Sequence, residues 1–545
     1  MSDRINPVTR ILRLLKLEKS EISAIYFHAI LNGLIQLSLP VGVQAIIGFV
    51  LGGAMSTSLI VLITLVVIGV LFSGMLQIGQ MQLIEKVQQK IFVRYSLKLA
   101  DRVPKLDLRA ADAYYLPELM NRFFEVPTLQ KSLSKLLLDI PTATIQILFG
   151  LILLAFYHPA FILFGALLVL ILWLILYYSG NKGLTTSLEE SMYKYKVAAW
   201  LEEMARLVKT FKFSKGSSLN LEKADDLTSN YLRARNQHFS VLEFQYKILV
   251  VFKVLITASM LIVGSILLVN QQLNIGQFIA AEIVILTVIN SVEKLISNLD
   301  SVYDVLTSVE KISKIADKPI EVNGDFEFPD QPKGVTVQMQ NVSFGYTDTK
   351  IVLSELSLDI KHGQKVCITG KESAGKSTIL KLLTGAYSTY TGSIMLNGLP
   401  IGNYKLDSMR SQIGVMLDQQ DVFDGTILEN ITMGNQYINP AQVILLFEMT
   451  GLQDYLATQK QGLNTVLSAA GNRLSEKVLR KILLIRALAG NPKLLLLEEP
   501  WQGLEAHQKN AIQQYFLNDL PGTTVLVVSN DKDFANQCDQ IIEIV

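Results

Sequence analysis

From Ile22 to Ile84 the chain contains no Asp, Glu, Lys or Arg, a run of roughly 60 residues, whereas one bilayer crossing takes about 20 apolar residues. A stretch that long and that apolar has no polar face to offer water, so it cannot coat a soluble domain. It is expected to cross a membrane twice, with a hairpin at LGGAMSTS. Ile140 to Asn181 is again uncharged and is broken by His158 and Pro159, while Ile248 to Val269 and Phe278 to about Ser291 form a further pair around NQQLNIGQ. Six spans are predicted, and a hydrophobic share of 50% agrees with a chain that is part membrane, part water-soluble.

The two long connectors, Glu85 to Asp139 and Lys182 to Lys247, carry about ten Lys and Arg each, and the three short ones carry none. Positive residues stay on the cytosolic side, which puts both termini and both long connectors there. Charges alternate with apolar residues at helical spacing in IEKVQQKIFVRYSLKLADRV and ESMYKYKVAAWLEEMARLVKTF, so the helices should continue out of the bilayer. The N-terminal MSDRINPVTRILRLLKLEKSE is basic and amphipathic, without the short apolar core of a signal peptide, and is expected to lie along the cytosolic membrane face. With 49 basic against 48 acidic residues there is no field that would draw nucleic acid. Cys367 and Cys538, the only cysteines, lie in the polar C-terminal half and read as inert core thiols.

A charged helix ends near SVEKISKIADKP, and the turn-rich IEVNGDFEFPDQPKG follows. The expected organisation is a membrane domain over 1–315 with long cytosolic helical connectors, a linker over 316–334 and a second domain over 335–545. In that last domain VTVQMQNVSFGY, SLDIKHGQKVCITG, KLLLLEE and TTVLVVSN read as strands and STILKLLTGAY as a helix, a pattern that suits an α/β fold with a mainly parallel sheet. Between strand and helix stands GKESAGKST, Gly370 to Thr378, which fits the phosphate-binding loop G-x-x-x-x-G-K-[ST]. Backbone amides of Gly370, Lys371, Glu372, Ser373, Ala374 and Gly375 can wrap a triphosphate. Lys376 reaches its terminal phosphates, Ser377 can ligate Mg2+, and with Thr378 it opens a helix whose N-terminus favours the anion. LLLLEE, more than 100 residues later, ends a buried strand on Glu498 and Glu499.

Taken with IGVMLDQQDVFDGTILENI and SVYDVLTSVEKI, these motifs make the chain resemble an ABC exporter half-transporter: a six-span α-helical membrane domain fused to one α/β P-loop ABC cassette. It is similar above all to bacterial exporters of peptides, bacteriocins and toxins of the type I secretion class. The resemblance implies ATP and Mg2+ as ligands and a multi-pass place in the cytoplasmic (inner) membrane. It also implies work as a homodimer or as a heterodimer with a second half-transporter, alongside periplasmic adaptor and outer-membrane components. It makes Tyr346 the aromatic that stacks on adenine and Glu499 the carboxylate that polarises the attacking water. Coupling helices are implied near PELMNRFF and FKFSKGSS. The short stretch before the first span leaves no room for the peptidase domain of some peptide exporters, so leader cleavage by this chain is not expected.

The departures are as informative. The family's Q-loop Gln, a metal and water contact, falls at Asp418, with Gln419 behind it; its Walker B aspartate is Glu498, one methylene longer; its switch histidine is Asn530, which can hydrogen-bond a phosphate but cannot take a proton. The signature Leu-Ser-Gly-Gly-Gln stands here as Leu474, Ser475, Glu476, Lys477 and Val478. Two glycines that let amides approach a γ-phosphate are gone, and Glu476 could place a carboxylate towards it. Like unit charges about 4 Å apart repel by roughly 4 kcal/mol at an effective dielectric near 20, less if Lys477 compensates. A weak or absent clamp is expected. Two readings stay open: an ATP-driven exporter, favoured by Lys376, Ser377 and Glu499, and a nucleotide-binding pseudo-transporter that hydrolyses little and regulates or scaffolds another transporter, favoured by the lost signature.

Within the spans, Glu282 is a carboxylate in an apolar stretch that either serves a transport path or, being near an outer end, snorkels to water; Lys253, near a cytosolic end, can snorkel too, and His158 belongs to an outer turn. Asn32, Gln36, Gln44, Gln146 and Asn290 either line a polar path or bond helix to helix.

Overall fold

The computed structural model describes residues 7–52, 57–112, 114–214, 216, 218–330, 333–347, 349–467 and 474–544. Its contacts divide the chain into two compact units, Met1–Pro104 with Tyr114–Lys318, and Lys105–Ala113 with Pro319–Val545.

Among the described residues, the first unit contains six helices long and apolar enough to cross a membrane. Three run far beyond what a bilayer needs: Thr57–Arg102 with 46 residues, Ile162–Arg206 with 45 and Leu219–Val269 with 51. At about 1.5 Å per residue such helices reach roughly 70 Å, more than twice a hydrocarbon core of about 30 Å. The charged connectors are thus continuous with the spans, as their periodicity requires. His158, in extended conformation, ends the helix Glu125–Tyr157, and its Nδ1 accepts from the Ala160 amide at 3.1 Å to start the next turn. The apolar centres of the helices pack into one core around Leu154, Phe161, Phe252, Ile256 and Val288. A second core joins Ile84, Ile91, Leu129 and Val305. Lys253 pairs with Glu293 of the neighbouring helix at 2.5 Å. Of the hairpin LGGAMSTS, 53–56 lie outside the described residues, as do 215 and 217 of FKFSKGSS.

The second unit is built on two sheets. The strands β1 (Val337–Phe344), β2 (Leu353–Ile360), β4 (Thr391–Leu396) and β5 (Leu399–Pro400) form an antiparallel sheet in the order β2-β1-β4-β5. The strands β3 (Lys365–Gly370), β6 (Ile413–Met416), β9 (Leu494–Glu498), β10 (Thr524–Val528) and β11 (Gln540–Ile544) form a wholly parallel sheet in the order β11-β3-β10-β9-β6. The four leucines of β9 and all five residues of β10 are buried, as strands covered on both faces must be. A small pair, β7 (Gly425–Thr426) with β8 (Val466–Leu467), completes the set.

PELMNRFF itself does not belong to the cassette unit. Leu116–Met120 and the turn Asn121–Phe124 belong to the membrane unit, where Leu119 is buried with Leu99 and Ile315. The stretch that joins the cassette unit lies just before it. Lys105 accepts from the Glu321 amide at 2.8 Å, the Asp107 amide donates to Pro319 at 3.1 Å, and Asp107 caps the short helix Leu108–Ala111 through the Ala110 amide at 3.0 Å.

Candidate nucleotide site

In a parallel sheet, ligand sites form beyond the carboxyl ends of adjacent strands, and here three such ends are neighbours. Ile368 of β3 pairs with Val528 of β10, which pairs with Glu498 of β9. Gly370, Ser529 and Glu499 therefore emerge at one edge, and β6, paired with β9 up to Met416 and Leu497, delivers Asp418 beside them.

The loop after β3 turns on glycines. Gly370 has φ +143°, and a Cβ there would meet the Ile544 carbonyl at 2.1 Å; Gly375 has φ +91° and caps the helix Lys376–Leu383. Ser373 also takes a left-handed backbone, φ +63°. Lys376 Nζ donates to the carbonyls of Gly370 at 2.8 Å and Lys371 at 2.5 Å, so its charge lies inside the loop. Ser377 Oγ donates to Glu498 Oε1, and the Asp418 amide donates to Glu498 Oε2 at 3.1 Å. Hydroxyl and carboxylate thus stand together at a helix N-terminus, which fits a hard cation shared with phosphate oxygens. The Asp418 side chain is engaged elsewhere: its Oδ1 accepts from Arg480 Nη2 at 2.7 Å.

Glu499 follows β9 in a left-handed backbone, φ +41°, a conformation that costs a non-glycine residue energy and marks special sites. Its amide donates to Val528 O at 2.9 Å, and its Oε2 accepts from Ser529 Oγ at 3.0 Å. Trp501 Nε1 in turn donates to Ser529 Oγ at 2.9 Å, and all three polar atoms form one chain. Asn530 is exposed just past β10. Tyr346 bonds Thr378 at 3.1 Å between the hydroxyls and meets Phe344 and Tyr387 edge to face, with ring centres 5.1 and 5.5 Å apart. Tyr387 donates to Asp112 Oδ2 at 2.8 Å; burial first, then that carboxylate, raises its pKa.

The segment LSEKV opens the helix Glu476–Leu488, with Ser475 Oγ accepting from the Val478 amide at 3.3 Å; 471–473 before it lie outside the described residues. Leu474 and Val478 pack against the second cassette core, while Glu476 and Lys477 are exposed. Glu476 Oε1 accepts from Arg480 Nε at 3.3 Å, so one guanidinium holds the acids at the Q-loop and signature positions together.

Two family models match this chain: one described as the ABC transporter transmembrane region over residues 22–292, the other as ABC transporter over residues 353–502. The chain belongs to the ABC transporters. It is a multi-pass membrane protein with an ATP-binding cassette. It is 31% identical over 241 residues to the glutathione/L-cysteine transport system ATP-binding/permease protein CydC of Haemophilus influenzae, covering 44% of this chain and 42% of that one. It is 28% identical over 272 residues to the alpha-hemolysin translocation ATP-binding protein HlyB of Escherichia coli O157:H7, and 27% over 271 residues to the leukotoxin export protein LtxB of Aggregatibacter actinomycetemcomitans, covering 50% of this chain and 38% of each relative. The matched part thus spans less than half of these relatives. A bacterial Atm1-family ABC exporter solved with ATP bound has the same fold, at a TM-score of 0.83 over 97% of this chain and 93% of that one, with 19% identity.

Three residues that bond the candidate site residues are not legible in the sequence: Arg480, Ser529 and Trp501. Arg480 sits 62 positions from Asp418, and no periodicity joins them. Ser529, next to Asn530, was in view but carried no signal of its own.

Proposed function

We propose that this chain is one half of an ATP-driven exporter in a cytoplasmic membrane, with both termini cytosolic, that acts as a dimer in which at least one ATP site is impaired. The observation that carries the reading is the junction of an intact phosphate loop with two acids at the end of β9: Ser377 on Glu498, and Glu499 held by Ser529. On this reading Tyr346 stacks on adenine, Lys376 leaves the loop carbonyls to meet the terminal phosphates, and Ser377 with Glu498 would hold Mg2+, which neutralises phosphate charge when bound. Glu499 orients the attacking water, and Asn530 hydrogen-bonds phosphate without taking a proton. The impairment is supported by Glu476 and Lys477 where a close amide approach needs glycine, and by Val478 turned to the core.

The relatives' names cover a thiol transport system and two protein toxins, so what carries over from them is ATP-driven movement across a membrane. The segment Lys105–Ala113 is the proposed link between nucleotide and transport, because Tyr346 reaches Asp112 through a single intervening ring, Tyr387. ATPase turnover of the purified full chain tests the proposal. Slow hydrolysis that Glu499→Gln removes is expected. Turnover above about 10 per second, near the median for enzymes, would refute the impaired site, and failure to bind ATP would refute the exporter reading.

A further inference from the structure

Glu499 is held by a hydroxyl whose own direction is fixed from behind. The strand β9 runs into the turn Glu499–Gln502, closed by the Gln502 amide on the Glu499 carbonyl at 3.1 Å, with Pro500 in the second position, where its preset φ suits such a turn. The turn folds the Trp501 indole back against the end of β10. There the ring is 8% exposed and packs edge to face with Phe534, centres 4.7 Å apart, and against Phe516. Ser529 is 1% exposed, and its amide donates to Ile368 O of β3 at 3.2 Å, so both ends of the contact between indole and hydroxyl are fixed in the core.

The number of donors decides where the Ser529 proton points. A serine hydroxyl has one hydrogen to give and two lone pairs to receive with, whereas an indole nitrogen and a backbone amide can only give. Ser529 Oγ receives from Trp501 Nε1 at 2.9 Å and from the Asp531 amide at 3.3 Å. That amide is itself stationary, because the Asp531 carboxylate caps the helix Lys532–Ala535 and accepts from Lys509 Nζ at 2.6 Å and Gln513 Nε2 at 2.9 Å. With both lone pairs taken, the hydroxyl hydrogen goes to the acceptor that remains, Glu499 Oε2 at 3.0 Å. The chain therefore runs one way, from indole N–H through hydroxyl to carboxylate, and ends on an ionised group, the arrangement in which each bond strengthens the next. Among the described residues no hydrogen bond reaches the other oxygen, Glu499 Oε1.

We infer that Trp501 is the positioning residue for Glu499: through the Ser529 hydroxyl it holds Oε2 and leaves Oε1 for the attacking water. Trp501 itself meets neither nucleotide nor water on this account. Without the indole N–H the hydroxyl regains a lone pair and the freedom to rotate, and the carboxylate loses the fixed direction of its one side-chain bond among the described residues. The inference rests on the reading of Glu499 as the group that orients water, and it leaves ATP binding, which belongs to the phosphate loop, untouched.

The test compares variants of the full chain in lipid nanodiscs by release of labelled phosphate from ATP over long incubations, with photolabelling by an ATP analogue to show that each variant is folded. Trp501→Phe and Ser529→Ala should each lower kcat by about 10- to 100-fold, the cost of slightly misplacing a reacting group, with KM for ATP unchanged. Both act through one hydroxyl, so the double variant should be no slower than Ser529→Ala, whereas two separate packing defects would multiply. Benzothienylalanine at position 501, which keeps the bicyclic ring with sulfur in place of the N–H, should match Trp501→Phe and decides the matter if the smaller ring loosens the core. Wild-type kcat with the benzothienyl ring, multiplying losses in the double variant, or a KM that rises as kcat falls would overturn the inference. A second readout needs no turnover. The chain has three tryptophans, so with isotope-labelled indoles the N–H resonance that Trp501→Phe removes belongs to Trp501. Ser529→Ala should shift it, and so should Glu499→Gln, which is bonded to the ring only through Ser529; a resonance indifferent to Glu499→Gln would overturn the inference. Both shifts without any hydrolysis by the unaltered chain would count against the hydrolytic reading of Glu499 and not against its positioning by Trp501.

Discussion

Replacing Arg480 by Gln should weaken ATP binding while leaving the fold intact. Arg480 lies between Asp418, at 2.7 Å, and Glu476, at 3.3 Å. Its partners are 62% and 72% exposed, so the ion pairs contribute under about 1 kcal/mol to folding once solvent screening is allowed for. The effect on the nucleotide is different in kind. Asp418 adjoins Glu498, whose Oε2 accepts its amide, at the mouth of the phosphate loop. With the guanidinium gone, the Asp418 carboxylate faces the terminal phosphate uncompensated. For an assumed separation of about 8 Å that costs roughly 0.5 kcal/mol in a water-like dielectric and roughly 2 kcal/mol at an effective value near 20, a rise in Kd of about 2- to 30-fold. Titration with a fluorescent ATP analogue at low salt reads the change, and circular dichroism melts read the fold. At about 1 M salt, where the screening length is about 3 Å, the two proteins should converge. A Kd unchanged at low salt, or a difference that survives at high salt, would refute the electrostatic account. Asp418→Asn added to Arg480→Gln should return the affinity, since it removes the charge that was exposed.

The other expectations are simpler to read. Lys376→Ala should abolish labelling by a photoreactive ATP analogue; labelling at the wild-type level would move the site elsewhere. Cysteines placed at Ser56 and Gln272 should react with an impermeant maleimide from outside intact cells and one at Ser217 should not, and the reverse pattern would invert the topology. Burial, chiefly, pushes the Cys367 thiol up to about 11 and the Cys538 thiol up to about 12. At pH 8, three or more units below, about 0.1% or less of either is thiolate, so the native protein should resist iodoacetamide until denatured, and rapid native alkylation would contradict the packing.

What could be read in advance was whatever repeats or recurs locally. The charge-free run from Ile22 needs only bilayer thickness to become two spans, and GKESAGKST needs only its flanking strand and helix. The long extensions of the spans were legible too, from charge alternating at helical spacing. The antiparallel sheet was not, because β1 pairs with both β2 and β4 and only register in space decides that. Nor was the place of Lys105–Ala113, whose bonds run to Pro319 and Glu321, more than 200 residues away.

The same distinction bears on how the departures in the cassette should be understood. Taken one at a time, an acid at the Q-loop position and an acid in the signature are each a defect at a polyphosphate site. Taken in space, both acids share Arg480, which itself stands in the signature helix one turn past Glu476. Without Arg480 both carboxylates would stand unpaired, and Asp418, whose amide bonds Glu498 beside the phosphate loop, would be free to repel a polyphosphate. A guanidinium, with its fixed fork of donors, answers both at once. The substitutions therefore form one set, in which the signature segment is bonded to its own chain's Q-loop instead of presenting close amides. On the proposed reading, that arrangement would leave the phosphate loop, Glu498 and Glu499 to hold ATP, and LSEKV without the small, open geometry that a clamp requires.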